Sequence, residues 1–113
     1  MAMQIPKRFK LLGHTIEVEY DPMLDGRNGI LGEARYTSNT IALQPNTDTY
    51  KRPDSQQEHV FLHELTHHIL NEMNEHELNG NEKFVDVFSG LLHQALTTME
   101  FDSKPVADKS TEL

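Results

Sequence analysis

Two histidines four residues apart flank a glutamate in the run His63-Glu64-Leu65-Thr66-His67. On a helix, residues i and i+4 project from one face a turn apart, so the two imidazoles can share a single cation. Glu64, beside the first of them, is then placed to face a water on that cation. Zinc lowers the pKa of such a water towards about 7, and a carboxylate alongside can take its proton as it attacks a polarised carbonyl. The run therefore contains a nucleophile and a base for hydrolysis, with Zn2+ as the expected cofactor and Glu64 as the expected general base. The chain has no cysteine, which excludes disulfides, thiolate metal sites and a cysteine nucleophile. Imidazole and carboxylate remain as ligands.

Catalytic zinc typically has three protein ligands and a water, so a third donor is required. The metzincin solution is excluded, because positions 70 and 73 hold Leu70 and Met73 where that pattern needs Gly and His. The remaining candidates are Glu82 and Asp86 in Asn81-Glu82-Lys83-Phe84-Val85-Asp86, one helical turn apart on one face. His63-Glu64-x-x-His67 followed by Asn81-Glu82-x-x-x-Asp86 resembles the gluzincin metallopeptidases, the thermolysin-like clan, in which a second helix supplies a glutamate ligand and an aspartate four residues later. The resemblance implies Glu82 as the third zinc ligand and Asp86 as the carboxylate that orients His63. A ligating imidazole usually donates its other N–H to a group of that kind. The succession of sheet, motif helix and glutamate helix also resembles the small ImmA/IrrE-type metallopeptidases, often encoded by phages and mobile elements, and this implies a peptide or protein as substrate.

Those side chains need a scaffold that brings two helices together. Ser55-Gln56-Gln57-Glu58 reads as a capping box, and Val60, Phe61, Leu65, Ile69, Leu70 and Met73 recur at helical spacing, which predicts a helix to about Met73 with Asn79-Gly80 as a stop. Asn81 caps a second helix whose apolar positions run from Phe84 and Val85 to Leu96 and Met99. Upstream, Ile16, Val18 and Tyr20 alternate with polar residues, so 14–20 reads as a strand paired to a shorter one before Gly13. Turn chemistry crowds Asp21-Pro22 and Asp25 to Gly29. Residues 31–36 and 40–43 suit two further strands joined by Thr37-Ser38-Asn39, and Ile41 to Leu43 is expected to be the sheet edge lining the cleft. The fold class that follows is α+β: a small, mainly antiparallel sheet of three to four strands packed with a zincin-like motif helix and a second, glutamate-bearing helix. Residues 1–101 read as one minimal metallopeptidase-like domain and 102–113 as a mobile polar tail.

Composition narrows the functional classes. With 113 residues, one compact core is the limit, and a metal that ties separate elements together would add useful folding free energy. The formal charge of −8 disfavours nucleic-acid and anionic-membrane binding. Lys7, Arg8 and Lys10 are the one basic cluster and read as a solvated strand edge. No apolar run approaches a membrane span, so a cytoplasmic protein is expected, in a host cytoplasm if phage-encoded. His59 reads as a surface residue of the capping turn, His68 as packing or solvent-facing, His93 as a boundary residue and His14 as a strand opener. Tyr36, Tyr50, His76 and His93 are all open as donors to a tetrahedral oxyanion, with none placed by spacing. The competing reading is a non-catalytic interaction protein that keeps the fold with zinc as a structural staple.

Overall fold

The computed structural model describes residues 3–24 and 29–103. Most of the turn-rich run Asp25 to Gly29 and most of the polar tail fall outside those residues. Among the described residues, four strands and three helices follow in the order β1 (Arg8–Leu11), β2 (His14–Tyr20), β3 (Gly32–Arg35), β4 (Thr40–Leu43), α1 (Asp54–Glu72), α2 (His76–Asn79) and α3 (Glu82–Thr98). The protein is α+β, and its sheet is mixed.

β1 and β2 form a hairpin closed by Leu12 and Gly13, both with positive φ, the conformation whose twist matches that of paired strands. Glycine at position 13 takes this conformation without the steric cost a Cβ would bring. The strand order is β1-β2-β4-β3. β4 pairs antiparallel with β3 and parallel with β2. The chain leaves β2, crosses to the far edge as β3, turns at Asn39 (φ 51°) and returns as β4 between the two. This corrects the expected cleft edge. Ile41 to Leu43 lies in an interior strand with all four residues of β4 buried, and the edge strand on that side is β3. Arg35 helps tie β3 to β2, with its guanidinium on Glu33 (2.6 Å), Asp21 (2.7 Å) and Glu19 (3.1 Å).

The core consists of Ile16, Ile41 and Leu43 of the sheet against Phe61 and Leu62 of α1. Each such side chain contributes about 1.5–3 kcal/mol by leaving water. α1 lies between sheet and α3 and packs on both. It therefore buries polar residues on several faces, Glu58, Glu64, Thr66 and His68 among them, as well as its apolar stripe.

The expected capping box does not form. Pro53 occupies the cap position, no side chain caps the helix, and the Glu58 carboxylate is buried against His93 of α3, 2.8 Å from its Nε2. The carboxylate thus turns into the helix pair instead of back towards the first turn. His93→Ala removes that partner from a buried acid, and a loss of about 1–3 kcal/mol in urea unfolding is expected. His68 is buried, its Nε2 2.8 Å from the Thr40 carbonyl oxygen and its ring edge-on to Tyr36.

α1 ends at Glu72 with Met73 as its cap, as expected, ahead of Asn79-Gly80. Asn74 takes a positive φ (58°), and the Glu75 N–H donates to the Leu70 carbonyl at 3.0 Å, which closes the helix end. The single turn α2 follows and presents Asn79 to the face of α1 that carries His67. Asn81 caps α3 as expected, its side chain accepting from the Phe84 N–H at 3.0 Å.

Candidate metal centre

His63 and His67 project from one side of α1 with ring centroids 5.0 Å apart. The first residue of α3, Glu82, reaches across to both. Its Oε2 lies 3.1 Å from His63 Nε2, and its Oε1 lies 3.1 Å from His67 Nε2. Donor atoms of the three residues all fall within 4.8 Å of one another. Ligands about 2.0–2.1 Å from a tetrahedral zinc stand about 3.3 Å apart, so a small inward adjustment of these side chains would bring one nitrogen of each histidine and one Glu82 oxygen onto such an ion. Capping by Asn81 makes Glu82 the first residue of α3, which fixes where the carboxylate enters.

The far nitrogens of both imidazoles also have partners. His63 Nδ1 lies 3.4 Å from Asp86 Oδ1. His67 Nδ1 donates to Asn79 Oδ1 at 2.6 Å, and the Asn79 amide donates in turn to the Tyr36 hydroxyl at 3.1 Å. A partner on each Nδ1 leaves each Nε2 aimed at the shared point, the arrangement that orients metal-binding histidines. Sequence reasoning named Asp86 for His63 but missed Asn79 for His67, because it placed Asn79 as a helix stop. The dipeptide Asn79-Gly80 carries turn propensity alone and gives no separate signal for that bond.

Glu64 is buried beneath this point, where β3 presses on α1. Burial holds its carboxyl up at about 7; the His67 charge opposes the rise, Glu82 and Glu33 add to it, and the Ala34 backbone N–H donates to the carboxylate. The close approach requires Gly32. A Cβ there would stand 2.6 Å from Val60 Cγ1 and 3.1 Å from Glu64 Cγ. Gly32→Ala is expected to destabilise the fold by about 1–3 kcal/mol through overpacking, measured as a lower midpoint in urea.

A cavity of about 390 Å³ opens over the site, lined by Gly32, Glu33, Tyr36, Glu64, His67 and Glu82 among others. Of the four residues left open as oxyanion donors, Tyr36 alone lines it. Burial raises the Tyr36 pKa, so the phenol keeps its proton at neutral pH. A neighbouring recess of about 200 Å³ continues past His63 to His59, Val60 and Asp86. His59 is thus no simple surface residue. Its Nε2 lies 3.2 Å from Ser89 Oγ and 3.6 Å from Asp86 Oδ1, so Asp86 stands between His59 and His63.

Glu82→Ala is expected to weaken zinc binding well beyond Asp86→Ala, whose effect should fall in the 10- to 100-fold range usual for a residue that orients a ligand. Competition titration against a zinc-sensitive dye ranks the two, and the reverse order would make Asp86 the ligand.

Among the described residues, no helix is long and apolar enough to cross a membrane. No protein-family model, curated protein or solved structure matches this chain.

Proposed function

We propose that the chain is a zinc-dependent peptidase in which His63, His67 and Glu82 hold the ion and Glu64 is the general base. The observation that carries the reading is the convergence of two Nε2 atoms and one carboxylate, from two helices, over a buried glutamate. Zinc bound there would supply Lewis-acid polarisation of a carbonyl and a lowered water pKa. Glu64 takes the proton of the attacking water and delivers it to the leaving amine. Asp86 and Asn79 hold the two imidazoles in the tautomer that keeps Nε2 free for the ion. The resemblance to gluzincin and ImmA/IrrE-type metallopeptidases belongs to this proposal and rests on His63, Glu64, His67, Glu82 and Asp86.

Tyr36 is the hydroxyl that the cavity offers to the tetrahedral oxyanion. Tyr36→Phe is expected to lower kcat about 10²- to 10³-fold with zinc content unchanged. An unaltered kcat would remove Tyr36 from that role. The edge strand β3 borders the same cavity, and its outward backbone groups other than the Ala34 N–H, which bonds Glu64, suit an extended peptide added as a further strand.

The experiment that tests the function is cleavage of a broad peptide library by the zinc-loaded chain. Hydrolysis that stops with a chelator and returns with added zinc is expected. Full zinc occupancy with no cleavage across the library would favour the non-catalytic interaction protein, with zinc as a staple between α1 and α3.

A further inference from the structure

α1 and α3 meet through two ladders of side chains. His59, His63 and His67 follow at intervals of four on α1, and Glu82, Asp86 and Gly90 do so on α3. Residues so spaced stand a turn apart on one face of a helix. The ladders interleave. Glu82 lies between His63 and His67, and Asp86 lies between His59 and His63. The bare backbone of Gly90 comes up against His59, where a Cβ would stand 3.5 Å from Nε2. The rung at Glu82 is the metal centre. The rung at Asp86 reaches past it to an imidazole that touches no ligand position.

In that rung one oxygen is shared. Asp86 Oδ1 is 3.4 Å from His63 Nδ1 and 3.6 Å from His59 Nε2. The Asp86 side chain is 63 % exposed, and among the described residues these two imidazoles are its ion-pair partners. An exposed carboxylate keeps its rotamer freedom unless a partner offsets the entropy of ordering it. His59 is placed to do so. Its Nε2 is also 3.2 Å from Ser89 Oγ and 3.3 Å from the Asp86 carbonyl oxygen. Ser89 is fully buried, and its hydroxyl donates to that same carbonyl at 3.1 Å. The oxygens around His59 Nε2 are thus a carboxylate, a carbonyl and a hydroxyl whose proton points elsewhere. Each can only accept, so Nε2 carries a proton. This N–H binds the turn of α3 from which Asp86 projects and turns its positive edge to the carboxylate. His93, bound to Glu58, lies nearly parallel to the His59 ring with centroids 6.3 Å apart.

We infer that His59 is a positioning residue of the metal centre: through its Nε2–H it holds Asp86 towards His63 Nδ1, and so keeps His63 Nε2 turned to the ion. Groups one layer removed from a metal ligand fix its tautomer and ring orientation, and His59 does this for the group that orients His63. The inference rests on the reading of His63, His67 and Glu82 as a zinc site, and peptide hydrolysis does not enter it.

Competition titration against a zinc-sensitive dye tests it on the full chain, with circular dichroism of the metal-free forms to confirm the fold. His59→Phe keeps an aromatic ring at the helix contact but has no N–H, and it is expected to weaken zinc binding about 3- to 10-fold, less than Asp86→Ala itself. His59→Gln brings an amide N–H near the place of Nε2 and is expected to stay within about 2-fold of wild type. In an Asp86→Ala background, His59→Phe is expected to shift the affinity by less than about 2-fold, because the group it acts through is gone. Wild-type affinity in His59→Phe, an equal loss in His59→Gln, or the same loss from His59→Phe with and without the Asp86 carboxylate overturns the inference and leaves the metal centre standing. A wild-type chain that binds no zinc overturns both.

Discussion

Replacing Glu64 by glutamine should abolish peptide hydrolysis while zinc content and fold persist. The amide keeps the size of the side chain and can still bond to the Ala34 N–H through its oxygen, but it cannot accept a proton from water. Loss of a general base typically costs 10²- to 10⁴-fold, and in the proposed mechanism the same group also returns the proton to the leaving amine, so the upper end of that range is expected in kcat. The burial of Glu64 makes the substitution mild for stability: a neutral amide loses less on leaving water than a carboxylate does. Equal rates for wild type and Glu64→Gln at equal metal content would remove Glu64 from the mechanism.

The second large effect is expected at the ligands. His63→Ala or His67→Ala leaves two protein donors, and zinc affinity should fall by more than about 100-fold, beyond the range of residues that only orient a ligand. Because an ion held by these residues would join α1 to α3 and bind the folded chain, a chelator should lower the wild-type Tm and leave that of either variant nearly unchanged. Competition titration and thermal melts, run on the same samples, read both outcomes. A variant that retains wild-type zinc affinity would show that its histidine is not a ligand.

How far the chain could be read in advance depended on whether the signal was local. The spacing of His63 and His67 is a property of one helix, and the cap at Asn81 is a property of one turn, so both were legible, as were the β1–β2 hairpin at Gly13 and the loop 37–39. The convergence of Glu82 on the two histidines was expected from resemblance, because spacing alone left Glu82 and Asp86 equivalent. The strand order was not legible. Turn residues after Tyr20 look the same whether the chain pairs with its neighbour or skips a place, so the sequence does not distinguish an edge position for β4 from the interior one it occupies. Glu58 was read as a capping residue from local sequence, yet a partner far along the chain, His93, takes its carboxylate. Asn79 and Tyr36 reach the site through α2 and the β3–β4 turn, and neither contact leaves a pattern along the chain.

The central claim is that one zinc ion sits between His63, His67 and Glu82. It is tested most directly by growing crystals of the zinc-loaded chain and mapping anomalous scattering on either side of the zinc absorption edge. The account predicts one strong peak per chain, about 2.0–2.2 Å from Nε2 of both histidines and from a Glu82 carboxylate oxygen. A zinc peak bound elsewhere on the chain, or no peak at this point in zinc-saturated crystals, would contradict it.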